Sequence, residues 1–119
     1  MITVCHVRDW PAEPDEQHVY CGRLANLRLG SPLGNPFRLT DFNREEALEK
    51  FTLWLHGCIN ANGPTFLGFE LSDRSKNAHK EFFRLLELLQ TGGDLYLYCW
   101  CAPKACHCDV IKAELEARL

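Results

Sequence analysis

The stretch "DLYLYCW", residues 94–100, decides the fold class predicted for this chain of 119 residues. After its first residue the side chains are apolar or aromatic at every position, so a strand formed here would have two faces that avoid water. Such strands lie inside parallel sheets, whose faces are both covered by other elements. Alternation assigns the side chains to two faces, with Leu95, Leu97 and Cys99 on one and Tyr96, Tyr98 and Trp100 on the other. We therefore predict a buried central strand at this position.

The segments around this strand predict an α/β fold. Upstream, "ITVCHV" (2–7) and "HVYCGR" (18–23) are short and rich in β-branched and aromatic residues, which is typical of strands. Apolar residues at helical spacing predict three helices, from Asn43 to the "NANGP" stop at 60–64, over about 75–90, and over about 108–119. Strands that alternate with helices indicate one domain over 1–119, a small three-layer Rossmann-like fold with a mainly parallel sheet and helices on both faces.

Smaller signals refine this organisation. Asn43 with Glu46 three residues later resembles a capping box, which places the start of the first helix. Turn residues without a sustained period predict an ordered loop over 24–40, and a loop of this length in a small domain is usually functional or disordered. The segment "TFLGFEL" (65–71) is short enough to be strand, turn or helix, and stays open.

Charge and hydropathy limit the classes of function. The net charge of −3 and the pI near 5.9 argue against a general affinity for DNA or RNA, which usually depends on a basic face. No apolar run approaches the roughly 20 residues that span a bilayer, and the N-terminus lacks signal-peptide features. We therefore expect a cytoplasmic protein with no membrane partner. In that reducing compartment the seven cysteines should be thiols.

The richest chemistry lies in "CWCAPKACHCD" (99–109), directly after the central strand. Ligands of α/β folds bind beyond the carboxyl ends of strands, so this loop is the first place to look for a site. Thiolate and imidazole suit the tetrahedral shell of zinc. The candidate zinc ligands are Cys99, Cys101, Cys106, His107 and Cys108.

Two other interpretations of the loop stay open beside the metal site. Cys106 or Cys108, at the start of the last helix, can be a thiol of lowered pKa with His107 as a nearby base. Alternatively, Cys99 and Cys101 are small core residues, and Asp109 only caps the helix. Cysteine spacing alone does not choose between metal binding, catalysis and packing.

Four segments, "VYCGR", "GSPLGNPF", "NREEAL" and "LYCWCAPKACHCDVI", together resemble a bacterial and phage family called domain of unknown function 4326. The likeness runs in motif order over about 19–111. The last motif of that family looks like C-x-C-x-P-x-x-C-H-G-D, and Cys108 stands where glycine is usual. The resemblance therefore implies that Cys99, Cys101, Cys106 and His107 are the shared functional set, with Cys108 as a substitute ligand. It implies no established activity.

Three motifs are predicted to converge at one edge of the sheet: Gly22-Arg23, the loop 31–37, and the helix start at 106–109. Glycine lets a backbone approach a ligand closely, arginine binds phosphate, and a helix N-terminus offers free N–H groups to an anion. We therefore predict a pocket for a phosphorylated small molecule, such as a nucleotide or nucleoside derivative. The predicted ligand-binding residues are Gly22, Arg23, Ser31, Gly34 and Asn35.

Any catalysis in this pocket would be hydrolysis or group transfer, with His107 and Asp109 as candidate acid/base residues. Neither a Walker A motif nor GxGxxG is present, which disfavours ATP hydrolysis and dinucleotide redox chemistry. The competing hypothesis is a non-enzymatic protein, either a zinc-stabilised module or a phage accessory protein that binds a host protein or nucleic acid. A flat basic surface that aligned Arg28, Arg38 and Lys104 would favour nucleic acid.

Overall fold

The computed structural model describes residues 1–22, 30–37, 40–60, 65–66, 69–70, 73–101 and 104–119. The elements follow in the order β1 (Ile2–His6), a 3₁₀ turn (Val7–Asp9), β2 (His18–Tyr20), α1 (Arg44–Ile59), β3 (Thr65–Phe66), β4 (Phe69–Glu70), α2 (Asp73–Gln90), β5 (Leu95–Cys99) and α3 (His107–Glu116). None of the helices within these ranges is long and apolar enough to cross a membrane.

The sheet confirms the prediction that "DLYLYCW" forms its central strand. Strand order is β1-β5-β2, and β5 pairs in parallel with both neighbours. The register pairs His6 with Cys99 and Tyr20 with Tyr98, so the carboxyl ends of all three strands meet at one edge. Together with the three helices, this parallel sheet makes the protein an α/β fold. The segment "TFLGFEL", left open above, contains the antiparallel pair β3–β4.

One face of the sheet packs against the helices. Leu95 and Leu97 of β5 are fully buried and belong to the same core as the inner residues of α1, α2 and α3. The helical members of this core are Phe51, Leu55, Cys58, Ile59, Ala78, Phe82, Leu85, Leu86, Leu89, Cys108, Ile111 and Leu115. The stripes predicted for the first two helices therefore supply most of its helical part.

Aromatic rings cover the opposite face. Trp10, in the loop after β1, packs edge-on against Tyr98 with ring centroids 4.8 Å apart, and His18 stacks on Tyr96 at 5.0 Å. Within the described ranges, these rings pack on the face of β5 that carries its tyrosines.

Local signals set the ends of the helices as the sequence indicates. Asn43 Oδ1 accepts a hydrogen bond from the Glu46 N–H at 2.8 Å, and Glu46 Oε1 accepts one from the Asn43 N–H at 3.4 Å. This is the predicted capping box of α1. After α2, Gly92 adopts a φ of 92° and the Gly93 N–H donates to Leu88 O at 3.2 Å, which ends the helix.

An ion-pair cluster joins α1 to α3. Glu114 Oε1 lies 2.5 Å from His56 Nε2, and Glu114 Oε2 accepts a hydrogen bond from Arg118 Nη1 at 2.8 Å. Burial acts to raise the pKa of Glu114, but the hydrogen bonds from His56 and Arg118 outweigh it, and the pKa is lowered from 4.5. A carboxyl whose pKa is lowered on folding stabilises the fold in its ionised form.

We expect Glu114→Gln to lower the free energy of unfolding at neutral pH. The contribution of Glu114 is complete above the ordinary pKa of 4.5 and is lost as the pH falls through the lowered folded value. Urea denaturation should therefore give a lower free energy of unfolding for the variant than for the wild type at neutral pH. In acid, where Glu114 is protonated, the two proteins should give the same value. Glu116→Gln, on the exposed side of the same helix, is the control and should change little. An equal loss at both pH values would contradict this role.

Candidate functional site

The end of β2 and the loop 31–34 contact each other directly. The Cys21 N–H donates to Tyr98 O at 2.9 Å, which continues the strand pairing by one residue and brings Gly22 to the carboxyl edge. The Ser31 N–H then donates to Gly22 O at 2.8 Å, and the Gly34 N–H donates to Ser31 O at 2.9 Å. The structure therefore brings together Gly22, Ser31 and Gly34 of the predicted ligand-binding set.

Asn35 attaches this loop to α1. Its side chain is only 8% exposed, its Nδ2 lies 3.5 Å from Ala47 O of α1, and its Oδ1 accepts a hydrogen bond from the Phe37 N–H at 2.8 Å. Arg74 of α2 donates from Nη2 to Gly34 O at 2.7 Å. Asn35 thus holds the loop against the helices. Arg23, the predicted phosphate anchor, lies outside the described residues.

His107 joins the start of α3 to the end of β2. Its Nε2 lies 2.5 Å from Cys21 O, its Nδ1 lies 3.4 Å from Cys106 Sγ, and its ring packs edge-on against Phe51. Since a carbonyl oxygen only accepts, Nε2 carries the proton that Cys21 O accepts, and Nδ1 faces the Cys106 thiol. Both nitrogens of the candidate acid/base residue are therefore engaged within the protein.

Asp109 caps α3. The Cys106 N–H donates to Asp109 Oδ2 at 3.0 Å, and the Cys108 N–H lies 3.5 Å from Cys106 Sγ. Cys106 is the N-cap residue of α3, in extended conformation, and the pair forms a capping box. The Asp109 side chain is exposed, and its hydrogen bond with Cys106 agrees with the interpretation in which Asp109 only caps the helix.

A thiol cluster lies where β5 ends and α3 begins. The Sγ atoms of Cys99, Cys106 and Cys108 are buried and all lie within 4.8 Å of one another. Two further thiols extend the cluster, because Cys101 hydrogen-bonds to Cys106 and Cys21 hydrogen-bonds to Cys108. All the cysteines of the chain are free thiols. The three buried cysteines lie close enough to hold a metal ion.

The electrostatics of the cluster follow from this crowding. The hydrogen bond to Cys101, and then the contact with Cys99 and burial, raise the pKa of Cys106, although its contacts with Cys108 act in the opposite direction. The pKa of Cys108 is raised well above its usual range, first by its contact with Cys106 and then by Cys21, Cys99 and burial. A nearby cation would favour the thiolate forms that this environment disfavours.

Cys101 differs from the buried thiols. It is partly exposed, and hydrogen bonds from Cys106 and Arg44 outweigh burial and lower the pKa of Cys101 to about 6. Arg44, the first residue of α1, also donates from Nη1 to Ala105 O at 2.8 Å. Sequence reasoning missed Arg44, whose only signal is its position after the cap Asn43 in the segment "NREEAL".

The predicted zinc ligands are only partly brought into one compact group. Cys99 and Cys106 belong to it, Cys101 contacts Cys106 from the side, and Cys108 belongs to it although it was expected only as a substitute ligand. His107 turns Nε2 toward Cys21 O. Cys21 was also missed, because its position near Cys108 depends on how β2 pairs with β5.

The fold and this site define a small α/β protein with a buried thiol cluster at the carboxyl edge of a parallel sheet. The chain matches the family described as domain of unknown function 4326 over residues 3–117, and it belongs to that family. This confirms the resemblance found in the motifs. Comparison with curated proteins and with solved structures finds no match.

We expect Gly34→Ala to destabilise the loop at this edge. A Cβ at Gly34 would lie 3.0 Å from Gly22 O and 3.1 Å from Ser31 O, both backbone atoms that cannot turn away as a side chain can. Overpacking of this kind typically costs about 1–3 kcal/mol. Urea denaturation of the variant checks this loss, and an unchanged free energy of unfolding would show that the loop is free to shift.

Proposed function

We propose that the protein is a metal-binding α/β domain whose thiol cluster holds one thiophilic divalent cation, most suitably zinc. The observation that carries the proposal is the group of three buried Sγ atoms within 4.8 Å of one another. In a tetrahedral shell with Zn–S bonds of about 2.3 Å, two thiolates lie about 3.8 Å apart. Small side-chain rotations would bring Cys99, Cys106 and Cys108 to that spacing.

Cys101 is the proposed fourth ligand. Its thiol already contacts Cys106, and the Arg44 guanidinium hydrogen-bonds to it from outside the cluster. Donors outside the ligand shell orient metal ligands and offset the negative charge that several thiolates accumulate. Cys21, the other neighbour of the cluster, is fully buried on β2 and has no such charged donor in the contacts described here.

The proposed role of the cation is structural. It would join Cys99, the last residue of β5, to Cys106 and Cys108 at the start of α3. The free energy of binding then contributes to folding, because the ligands come together only in the folded chain.

The first test is elemental analysis of untagged protein purified under reducing conditions, where we expect about one zinc per chain. Cys99→Ser should lose the zinc and lower the melting temperature, because metal binding contributes to folding. Cys5→Ser is the matched control, since Cys5 lies on β1, hydrogen-bonds to Tyr98 and does not belong to the group of Cys99, Cys106 and Cys108. Wild-type protein that neither contains zinc nor takes it up from a zinc buffer would contradict the proposal.

Cys108→Gly separates the two possible ligand sets. It introduces the residue usual in the family motif and removes one of the three clustered thiols. Loss of zinc would support the set that includes Cys108, whereas retention would support Cys99, Cys101, Cys106 and His107, the set implied by the resemblance. The metal content of the wild type does not show which residues bind the zinc. This variant does.

A second candidate function is the binding of a phosphorylated small molecule, such as a nucleotide, at the same edge of the sheet. The observation that favours it is the direct contact between Gly22 and the loop 31–34 beside the start of α3. The net charge of −3 favours a small ligand over a nucleic-acid polymer. This function is binding without catalysis, because the hydrogen bonds of His107 and Asp109 hold the start of α3 in place.

Arg23→Ala tests this second function. If Arg23 binds the phosphate, the variant should lose affinity for adenosine monophosphate in calorimetric titration, while its melting temperature stays close to that of the wild type. Arg84→Ala is the control, since Arg84 is exposed on α2 and pairs with Glu81. Undiminished affinity of the Arg23 variant would contradict the proposed anchor.

A further inference from the structure

Three aromatic rings lie in a row across the carboxyl edge of the sheet. His6 is the last residue of β1, Tyr20 is the last residue of β2, and Trp100 directly follows β5 between them. The parallel register brings the strand ends side by side, because His6 pairs with Cys99 and Tyr20 pairs with Tyr98. The ring contacts of Trp100 with Tyr20 and with His6 then form the row.

The central ring of this row is held in place. Trp100 Nε1 donates a hydrogen bond to the Tyr20 hydroxyl at 2.9 Å, and the His6 ring meets the indole edge-on with centroids 6.2 Å apart. His6 is itself oriented, because its Nδ1 accepts a hydrogen bond from the Arg8 N–H at 3.0 Å. An indole fixed from two sides is pre-organised and loses little rotamer freedom when a ligand binds.

Trp100 is nevertheless 45% exposed. Large apolar side chains on a protein surface are common singly, but an oriented tryptophan beside the ligand edge of an α/β sheet is better explained as a contact surface. Core packing does not account for it, since alternation along β5 turns Cys99 inward and leaves Trp100 on the other side.

The chemistry of the edge indicates a small heteroaromatic ligand. Stacking of a nucleobase on an aromatic side chain contributes about 1–3 kcal/mol to the free energy of binding, and every base offers a flat face. Lys104 is exposed four residues after Trp100, and its ammonium would supply positive charge for one phosphate. The net charge of −3 disfavours a polymer with many phosphates.

We propose that Trp100, held by Tyr20 and flanked by His6, is the stacking surface for the base of a nucleoside or mononucleotide bound at the carboxyl edge. This inference rests on the second candidate function and specifies its ligand class, because it identifies the part of the same site that contacts the base. The metal site does not enter into it.

The test is titration of the protein, as purified under reducing conditions, with adenosine, guanosine, cytidine and uridine, and separately with ribose phosphate. Stacking quenches indole emission, so a nucleoside should lower the emission of the wild type and of Trp54→Phe, the control, by the same absolute amount. Calorimetry of Trp100→Ala should give a Kd at least about tenfold weaker, the equivalent of about 1.4 kcal/mol. Trp100→Phe retains a ring and should be intermediate.

The outcomes separate this inference from the phosphate site. Nucleoside binding that depends on Trp100, without binding of ribose phosphate, would support the stacking surface and remove the phosphate anchor. Ribose phosphate binding as tightly as adenosine monophosphate, with Trp100→Ala unchanged, would overturn the stacking surface and keep the anchor. If none of the four nucleosides binds at millimolar concentration, the stacking surface is wrong. Because Trp100 is partly exposed, Trp100→Ala should fold, and its melting temperature verifies this.

Discussion

The parallel pairing of β5 with both β1 and β2 is the constraint on which the rest of the structure depends. Parallel strands end at a common edge, so this pairing brings Cys21, Cys99 and His6 to one side of the molecule although they are distant in sequence. The hydrogen bond from His107 to Cys21 O then attaches the start of α3 to the same edge. Each candidate site is a consequence of that alignment.

Alternation along β5 separates the two kinds of chemistry at this edge. Cys99 points into the core, where it meets the thiols of α3, whereas the next residue, Trp100, lies partly exposed beside Tyr20. One residue of displacement along a strand reverses the face that a side chain takes. A closed, sulfur-rich centre and an open aromatic surface can therefore lie next to each other without sharing ligands.

The buried thiols at this edge lie close enough to one another to hold a cation. Cysteines are small enough to pack in an apolar core. Here, however, Cys106 and Cys108 also hydrogen-bond to neighbouring thiols, and this crowding, together with burial, raises the pKa of both. A divalent cation would convert this unfavourable crowding into coordination. Arg44, at the N-terminus of α1, supplies a positive charge to the outer side of the same cluster.

The sequence by itself determined the central strand, the capping box at Asn43, the apolar stripes of α1 and α2 and the family, because these depend on local periodicity and motif order. It also indicated that the cysteine-rich loop 99–109 is part of the candidate site. Tertiary structure alone decided that Cys108 joins Cys99 and Cys106, that Cys21 and Arg44 reach the cluster, and that Trp100 is held by Tyr20. These contacts join residues from separate elements, and strand register and helix packing, which no local pattern encodes, bring them together.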